Sequence, residues 1–225
     1  MRLRADFGEQ AAVTPDQYDW VPSPAPGVER MMLDRVGEEV ARATSIVRYA
    51  PNSRFPAHEH GGGEEILVLD GEFGDELGGY PAGYYLRNPI GTRHSPQIGS
   101  GGATIFVKLH QFAADDAAQL AIDTGKGGWT PGRVNGVEIQ PLHRHREENV
   151  FLMRWAPDTA YPEHVHTAGE EVLVLEGAFH DEAGHYPKGS WVRYPDGSRH
   201  APYTLAEGAL LFVKEGHLPS GDSPQ

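Results

Sequence analysis

The chain has 225 residues, enough for one large or two small domains with proper hydrophobic cores. Its 32 acidic and 19 basic residues leave a net charge of −13, an acidic excess that argues against a nucleic-acid partner. It contains no cysteine, which excludes disulfides, thiolate metal sites and cysteine redox chemistry together.

Taken in chain order, the opening stretch from Met1 to Asp6 lacks the apolar core of a signal peptide. No apolar run approaches the ~20 residues that a membrane helix needs. A soluble cytoplasmic protein without a membrane partner is therefore expected. Short strands broken by turns follow. Glu65-Ile66-Leu67-Val68-Leu69 runs into Asp70-Gly71, Phe73 opens another strand, and Tyr80-Pro81-Ala82-Gly83 is a turn. Ile105-Phe106-Val107-Lys108 reads as a closing strand. Helical periodicity appears only from Ala113 to Ala121, where a connection between domains is expected.

The same series then begins again. Residues 48–110 and 154–216 align without a gap and are identical at 31 of 63 positions, so a whole domain has been duplicated. Upstream the register shifts by three, with Trp20, Gly27, Val28 and Glu29 answering Trp129, Gly136, Val137 and Glu138. Each unit is about a hundred residues, far longer than a solenoid repeat. The expected organisation is a first domain over 1–112, a linker over 113–127 and a second domain over 128–225, all-β throughout.

The repeat carries a metal-ligand pattern. His58, His60 and Glu64 recur 106 residues later as His164, His166 and Glu170, and a further histidine follows at His94 and His200. Histidines two apart on a strand share a face, so each pair can serve one ion. Three imidazoles and one carboxylate make a complete ligand set for a divalent metal, here two ions per chain. Without thiolates, that set accepts Zn, Fe, Mn or Ni and does not choose among them. Which glutamate of each Glu-Glu pair faces the ion is open, with Glu64 and Glu170 preferred over Glu65 and Glu171 on spacing. The second glutamates would then point outward or bond to a ligand histidine.

Other polar residues read as bystanders. His143-Arg144-His145 has no histidine at the following interval and is expected to be exposed strand. His180 and His185 replace Gly74 and Gly79 of the first copy in a polar loop, and neither His110 nor His217 has a counterpart. Arg87/Arg193, Arg93/Arg199 and Lys108/Lys214 repeat, and are expected to pair with Asp75-Glu76 and Asp181-Glu182 or to be solvated.

This spelling resembles the cupin superfamily, whose motifs are G-x5-H-x-H-x3/4-E-x6-G and G-x5-P-x-G-x2-H. The first copy gives His58, His60, Glu64 and Gly71, then Gly83, Pro89, Gly91 and His94. The second gives His164, His166, Glu170 and Gly177, then Gly189, Pro195, Gly197 and His200. Only the leading glycine of the first motif is absent. Within the superfamily the chain is most similar to the ChrR-like cupins, through Gly63-Glu64-Glu65-Ile66-Leu67-Val68-Leu69-Asp70-Gly71-Glu72-Phe73, Tyr80-Pro81 and Arg87-Asn88-Pro89 and their second-copy counterparts.

The resemblance implies two tandem jelly-roll barrels, a bicupin, with metal inside each. It implies two readings of function. One is a metal-dependent, iron-type dioxygenase acting on a small hydroxylated or dicarbonyl compound. The other is a zinc-binding regulatory or sensor protein related to an anti-sigma factor. The roughly twenty residues ahead of the first cupin hold neither His nor Cys, so direct sigma-factor binding is not expected. A small-molecule ligand and a homodimer complete the expected partners.

Overall fold

The computed structural model describes residues 1–219, and its contacts divide the chain into two units. The first joins Met1–Ala5 to Asp19–Lys126, and the second joins Asp6–Tyr18 to the chain from Gly127 onward. Among the described residues there is no α-helix, only two short 3-10 turns. Among these residues no helix is long and apolar enough to cross a membrane.

In the first unit one sheet runs Arg2–Leu3, Val28–Gly37, Ala41–Tyr49, Gln97–Leu109, Glu64–Asp75, Tyr84–Asn88 and Leu120–Asp123 in spatial order. A separate two-stranded ribbon pairs His58–Glu59 with Arg93–His94. The second unit repeats the plan. Its sheet runs Thr130–Pro131, Val137–His145, Glu148–Trp155, Ala209–Glu215, Glu170–His180, Trp191–Tyr194 and Ala11–Val13. Its ribbon pairs His164–Val165 with Arg199–His200. All the pairings are antiparallel, and each unit is a jelly roll.

Strand alternation decides what lies inside. Ile66 and Val68 belong to the interior core of the first unit with Phe73, Leu86, Ile105 and Val107. Val172 and Val174 do the same in the second, with Phe179, Val192, Leu211 and Val213. Glu64 and Glu170 share those interior faces by the two-residue period of a strand, while Glu65 and Glu171 lie on the opposite faces. Leu67 and Leu173, also on the opposite faces, are 3 % and 1 % exposed. A strand covered on both sides reads as a continuous apolar run, which explains the Ile-Leu-Val-Leu and Val-Leu-Val-Leu spelling.

The glycine that closes the first motif has a steric reason. Gly71 and Gly177 adopt φ of +70° and +64°, and a Cβ on either would lie 2.1 Å from the carbonyl oxygen of Gly102 or Gly208. Only glycine allows both that backbone conformation and that approach.

The helical expectation for 113–121 is not met. The segment turns at Ala114-Asp115 and then extends, with Leu120–Asp123 laid along Tyr84–Arg87. So short a segment forms little helix by itself, and ladder bonds on an open sheet edge satisfy its backbone instead. The matching edge of the second unit, at Trp191–Arg193, is filled by Ala11–Val13 from the beginning of the chain. Val13 is fully buried there. Val13→Asp should therefore destabilise the second unit by roughly 3 kcal/mol, the scale for burying an unpaired charge. Hydrogen exchange checks this: amides of Trp191–Arg193 should lose protection, while those of Glu64–Leu67 keep theirs.

Candidate metal centres

The ribbon of the first unit sets His94 directly opposite His58. His60 follows at the ribbon's end, where its amide donates to the Thr92 carbonyl at 2.9 Å. The three rings converge, with centroids 5.2, 4.7 and 4.6 Å apart. Each Nδ1 faces an oxygen. That of His58 lies 3.3 Å from the Pro56 carbonyl. That of His94 lies 3.5 Å from an Asp75 carboxylate oxygen. His60 Nδ1 is 2.9 Å from the Thr92 hydroxyl, which itself donates to the Pro89 carbonyl at 2.6 Å. The hydroxyl must then accept from His60, so Nδ1 carries the proton and Nε2 keeps its lone pair.

Those Nε2 atoms meet Glu64, which is 3.3 Å from His60 and 3.4 Å from His94. Asn88, its cross-strand neighbour, donates to the same carboxylate at 3.1 Å. One ligand atom from each of His58, His60, Glu64 and His94 falls within 4.8 Å of the others. Burial raises the Glu64 pKa, but its interactions with His60, His94 and Asn88 outweigh it and the net shift is downward. Burial also holds His94 below its ordinary value.

In the second unit His200 lies opposite His164, and the rings of His164, His166 and His200 are 4.7 to 4.8 Å apart. His164 Nδ1 is 3.2 Å from the Pro162 carbonyl, and His200 Nδ1 is 3.3 Å from Asp181. The three histidines also form a cluster within 4.8 Å. Burial depresses His164, and burial with the adjacent His200 takes His166 down to about 3. Neutral imidazoles with free lone pairs are what a cation requires.

Glu170 stands apart from this cluster, reaching only to 3.7 Å from His166. The residue that could hold it inward has changed. Where Asn88 bonds Glu64, Tyr194 stacks its ring on His166 at 5.2 Å and donates its hydroxyl to Asp181 at 2.5 Å. The other neighbour of Glu170 is Glu215, a second acid. Burial and that carboxylate raise Glu170 to about 8.

The remaining sequence expectations divide. Glu65 and Glu171 neither point outward nor touch a clustered histidine. Glu65 accepts from Tyr85 at 2.5 Å and from Arg87 at 3.1 Å, and Glu171 meets His217 at 2.5 Å. His217 thus has a packing role that the sequence did not suggest. Arg87 pairs with Glu65 and Asp116 rather than with Asp75-Glu76. Arg193 donates to the Asp6 carbonyl at 2.7 Å and covers the Phe7 ring. Lys108 and Lys214 are fully buried against Thr44 and Glu148, whereas Arg93 and Arg199 are exposed near Glu59 and Glu163. His143 and His145 are on a strand, as expected, but half-buried. His180 and His185 pair across a hairpin at 3.3 Å, with Tyr203 stacked on the first. Asp75 and Asp181 went unrecognised as the orienting carboxylates of His94 and His200, although their retention in both copies was a usable signal.

A cavity of about 520 Å³ opens on His164, His166 and His200. Its walls are largely apolar, including Phe151, Met153, Trp155 and Leu211, and Arg133, Tyr161 and Glu215 supply polar groups.

Fold and histidine clusters together define a bicupin, a chain of two cupin barrels with a candidate metal-binding cluster in each. The model of the ChrR cupin-like domain matches residues 8–113 and 117–219, and the chain belongs to that family. No curated protein matches the sequence. Among solved structures it is similar to a candidate dioxygenase from Nostoc punctiforme, with TM-score 0.74 and 20 % identity over 97 % of this chain and 83 % of that one. A candidate glyoxylate-induced protein from Pseudomonas aeruginosa gives TM-score 0.74 and 14 % identity, over 96 % and 90 % of the two chains. The oxalate decarboxylase of Lactobacillus farciminis gives TM-score 0.67 and 11 % identity, over 98 % and 90 %. At these identities the likeness establishes the fold.

The raised Glu170 has a consequence for stability. In metal-free protein the folded state keeps a proton that the unfolded chain, at its ordinary 4.5, releases. Stability should therefore fall as pH rises from about 4.5 to about 8, then level off. Glu170→Gln should remove that dependence, gaining on the order of a few kcal/mol over wild type at pH 8 and little at pH 5. Thermal unfolding of chelator-treated protein across this range tests it; parallel curves for the two proteins would contradict it.

Proposed function

We propose that each barrel holds one divalent metal ion and that the second barrel is the reacting copy of a metal-dependent dioxygenase for a small hydroxylated or dicarbonyl compound. The observation that carries this reading is the cluster of three imidazoles opening on a 520 Å³ cavity, a volume within the usual range for small-molecule sites. His58, His60, Glu64 and His94 would hold one ion. His164, His166 and His200 would hold the other, with Glu170 as the nearest carboxylate to complete the set.

The residues fit such an ion. Nε2 of His60, His94 and His166 is buried without a hydrogen-bond partner, and an unmet lone pair is costly unless something accepts it. An iron-type ion bound there supplies Lewis acidity and open positions for dioxygen and substrate. The chain supplies the rest. Asp181 keeps the proton on His200 Nδ1, so Nε2 remains a donor of electrons. Phe151, Met153 and Leu211 give the chamber apolar walls, and the Tyr161 ring packs edge-on beside His164. The Nostoc relative's description as a candidate dioxygenase agrees with this chemistry.

The four-residue cluster of the first unit, with Asn88 fixing its carboxylate, favours a second reading for that copy: a zinc-holding regulatory or structural centre. Element-resolved metal analysis separates the two. Protein purified without chelator should carry close to two equivalents, and His58→Ala and His164→Ala should each lose one. Iron-dependent oxygen consumption over a panel of catechols and hydroxyketones should vanish in His164→Ala and persist in His58→Ala. Two zinc equivalents with no oxygen uptake after iron loading would displace the oxygenase reading in favour of the regulatory one.

A further inference from the structure

The two barrels differ along one row of paired residues. In the first unit the row reads Ala43, Leu109, Glu64, Asn88 across four adjacent strands. In the second the equivalent row reads Asn149, Glu215, Glu170, Tyr194. An apolar pair beside the acid has become an asparagine and a second acid. Both Glu170 and Glu215 line the cavity that ends on the histidines.

Glu215 is anchored but not saturated. Asn149 donates one bond to its Oε1 at 3.1 Å. A carboxylate has about four acceptor positions, so several remain to be met. Tyr194, which could have donated to the pair, is committed to Asp181, and Glu170 is the carboxylate nearest the histidine cluster, which leaves Glu215 to meet a guest. The chamber also contains Trp155, whose buried Nε1 donor has no partner among the described residues. A carboxylate with open acceptor positions in a largely apolar chamber calls for a guest that brings a hydroxyl hydrogen. Glu215 repels a carboxylate brought against it, and Arg133, the cation of the lining, is taken up by a hydrogen bond with Tyr161. The flat aromatic and thioether walls from Phe151, Trp155 and Met153 suit an aromatic body.

We propose that Glu215, positioned by Asn149, is the specificity-determining residue of the second barrel, and that it selects a neutral hydroxylated aromatic compound of the phenol or catechol class and rejects dicarboxylates. This rests on the reading of the second barrel as the ligand-binding copy, and it narrows that reading to hydroxylated rather than acidic substrates. It also separates this chain from the oxalate-handling relative that shares its fold.

The test measures binding rather than turnover. The full chain, loaded with zinc to keep it redox-silent, is titrated with catechol and with oxalate by calorimetry. Wild type, Glu215→Gln, Glu215→Leu (the first barrel's residue) and Asn149→Ala are compared, with melting temperatures confirming that each is folded. Wild type should bind catechol and not oxalate. Glu215→Leu should weaken catechol about tenfold or more, the scale of a lost hydrogen bond to a charged group, and Glu215→Gln less. Oxalate binding should appear or strengthen in both Glu215 variants. Equal catechol affinity in wild type and Glu215→Leu, no catechol binding by wild type, or oxalate binding by wild type as tight as catechol's would each overturn the proposal. Catechol binding that depends on Glu215 but is never followed by oxygen uptake in the iron-loaded protein would leave it standing and remove the dioxygenase reading instead.

Discussion

Each candidate centre depends on the antiparallel pairing of two strands only two residues long. Register places His94 against His58 and His200 against His164, so two imidazoles are delivered from opposite sides by backbone bonds alone. The third histidine leaves the end of the same ribbon and cannot stray far. Outer acceptors then hold most of the rings. Pro56, Thr92 and Asp75 do so in the first unit, and Pro162 and Asp181 in the second. The orientational freedom of these side chains is lost on folding, before any ligand arrives, which is what makes a rigid site bind well.

A shared backbone has been used for two electrostatic environments. Glu64 is drawn to the histidines by a donor on one side and faces a hydrocarbon, Leu109, on the other. Glu170 sits in the same register between a tyrosine engaged elsewhere and a second carboxylate. Burial penalises charge at both positions. In the first unit hydrogen bonds overcome that penalty and the carboxylate stays ionised; in the second nothing does, and the proton is retained well above the usual range. Duplication preserved the strands and the histidines, while the row between them diverged.

The opposite face of the same strands explains residues that imitate a functional signal. Glu65, Tyr85, Arg87 and Asp116 form one buried network in the first unit, and Glu171 with His217 forms a smaller one in the second. A buried charge without a partner is strongly destabilising, so Glu65 and Arg87, which recur as Glu171 and Arg193, are retained for packing reasons. The repetition of Glu65 and Glu171 beside the motif histidines left two candidate acids in each copy. Strand alternation, not chemistry, separates them from Glu64 and Glu170.

The amino-acid sequence by itself determined the duplication, the all-β class, the spacing of the histidines and the glycine that the corner at residue 71 demands. All of these are local or periodic properties, and each copy provided a check on the other. Tertiary structure alone decided that Ala11–Val13 completes the second sheet, and that Leu120–Asp123 is a strand where alanine spacing suggested a helix. It also decided that Glu170 lies outside the cluster its counterpart joins. In each case the outcome belongs to partners distant in the chain: an open sheet edge, a tyrosine hydroxyl bound elsewhere, a second acid on the adjacent strand. No spacing rule within one segment encodes which distant backbone bonds are left unmet or which neighbour will donate a proton, and those are the terms that decided the result.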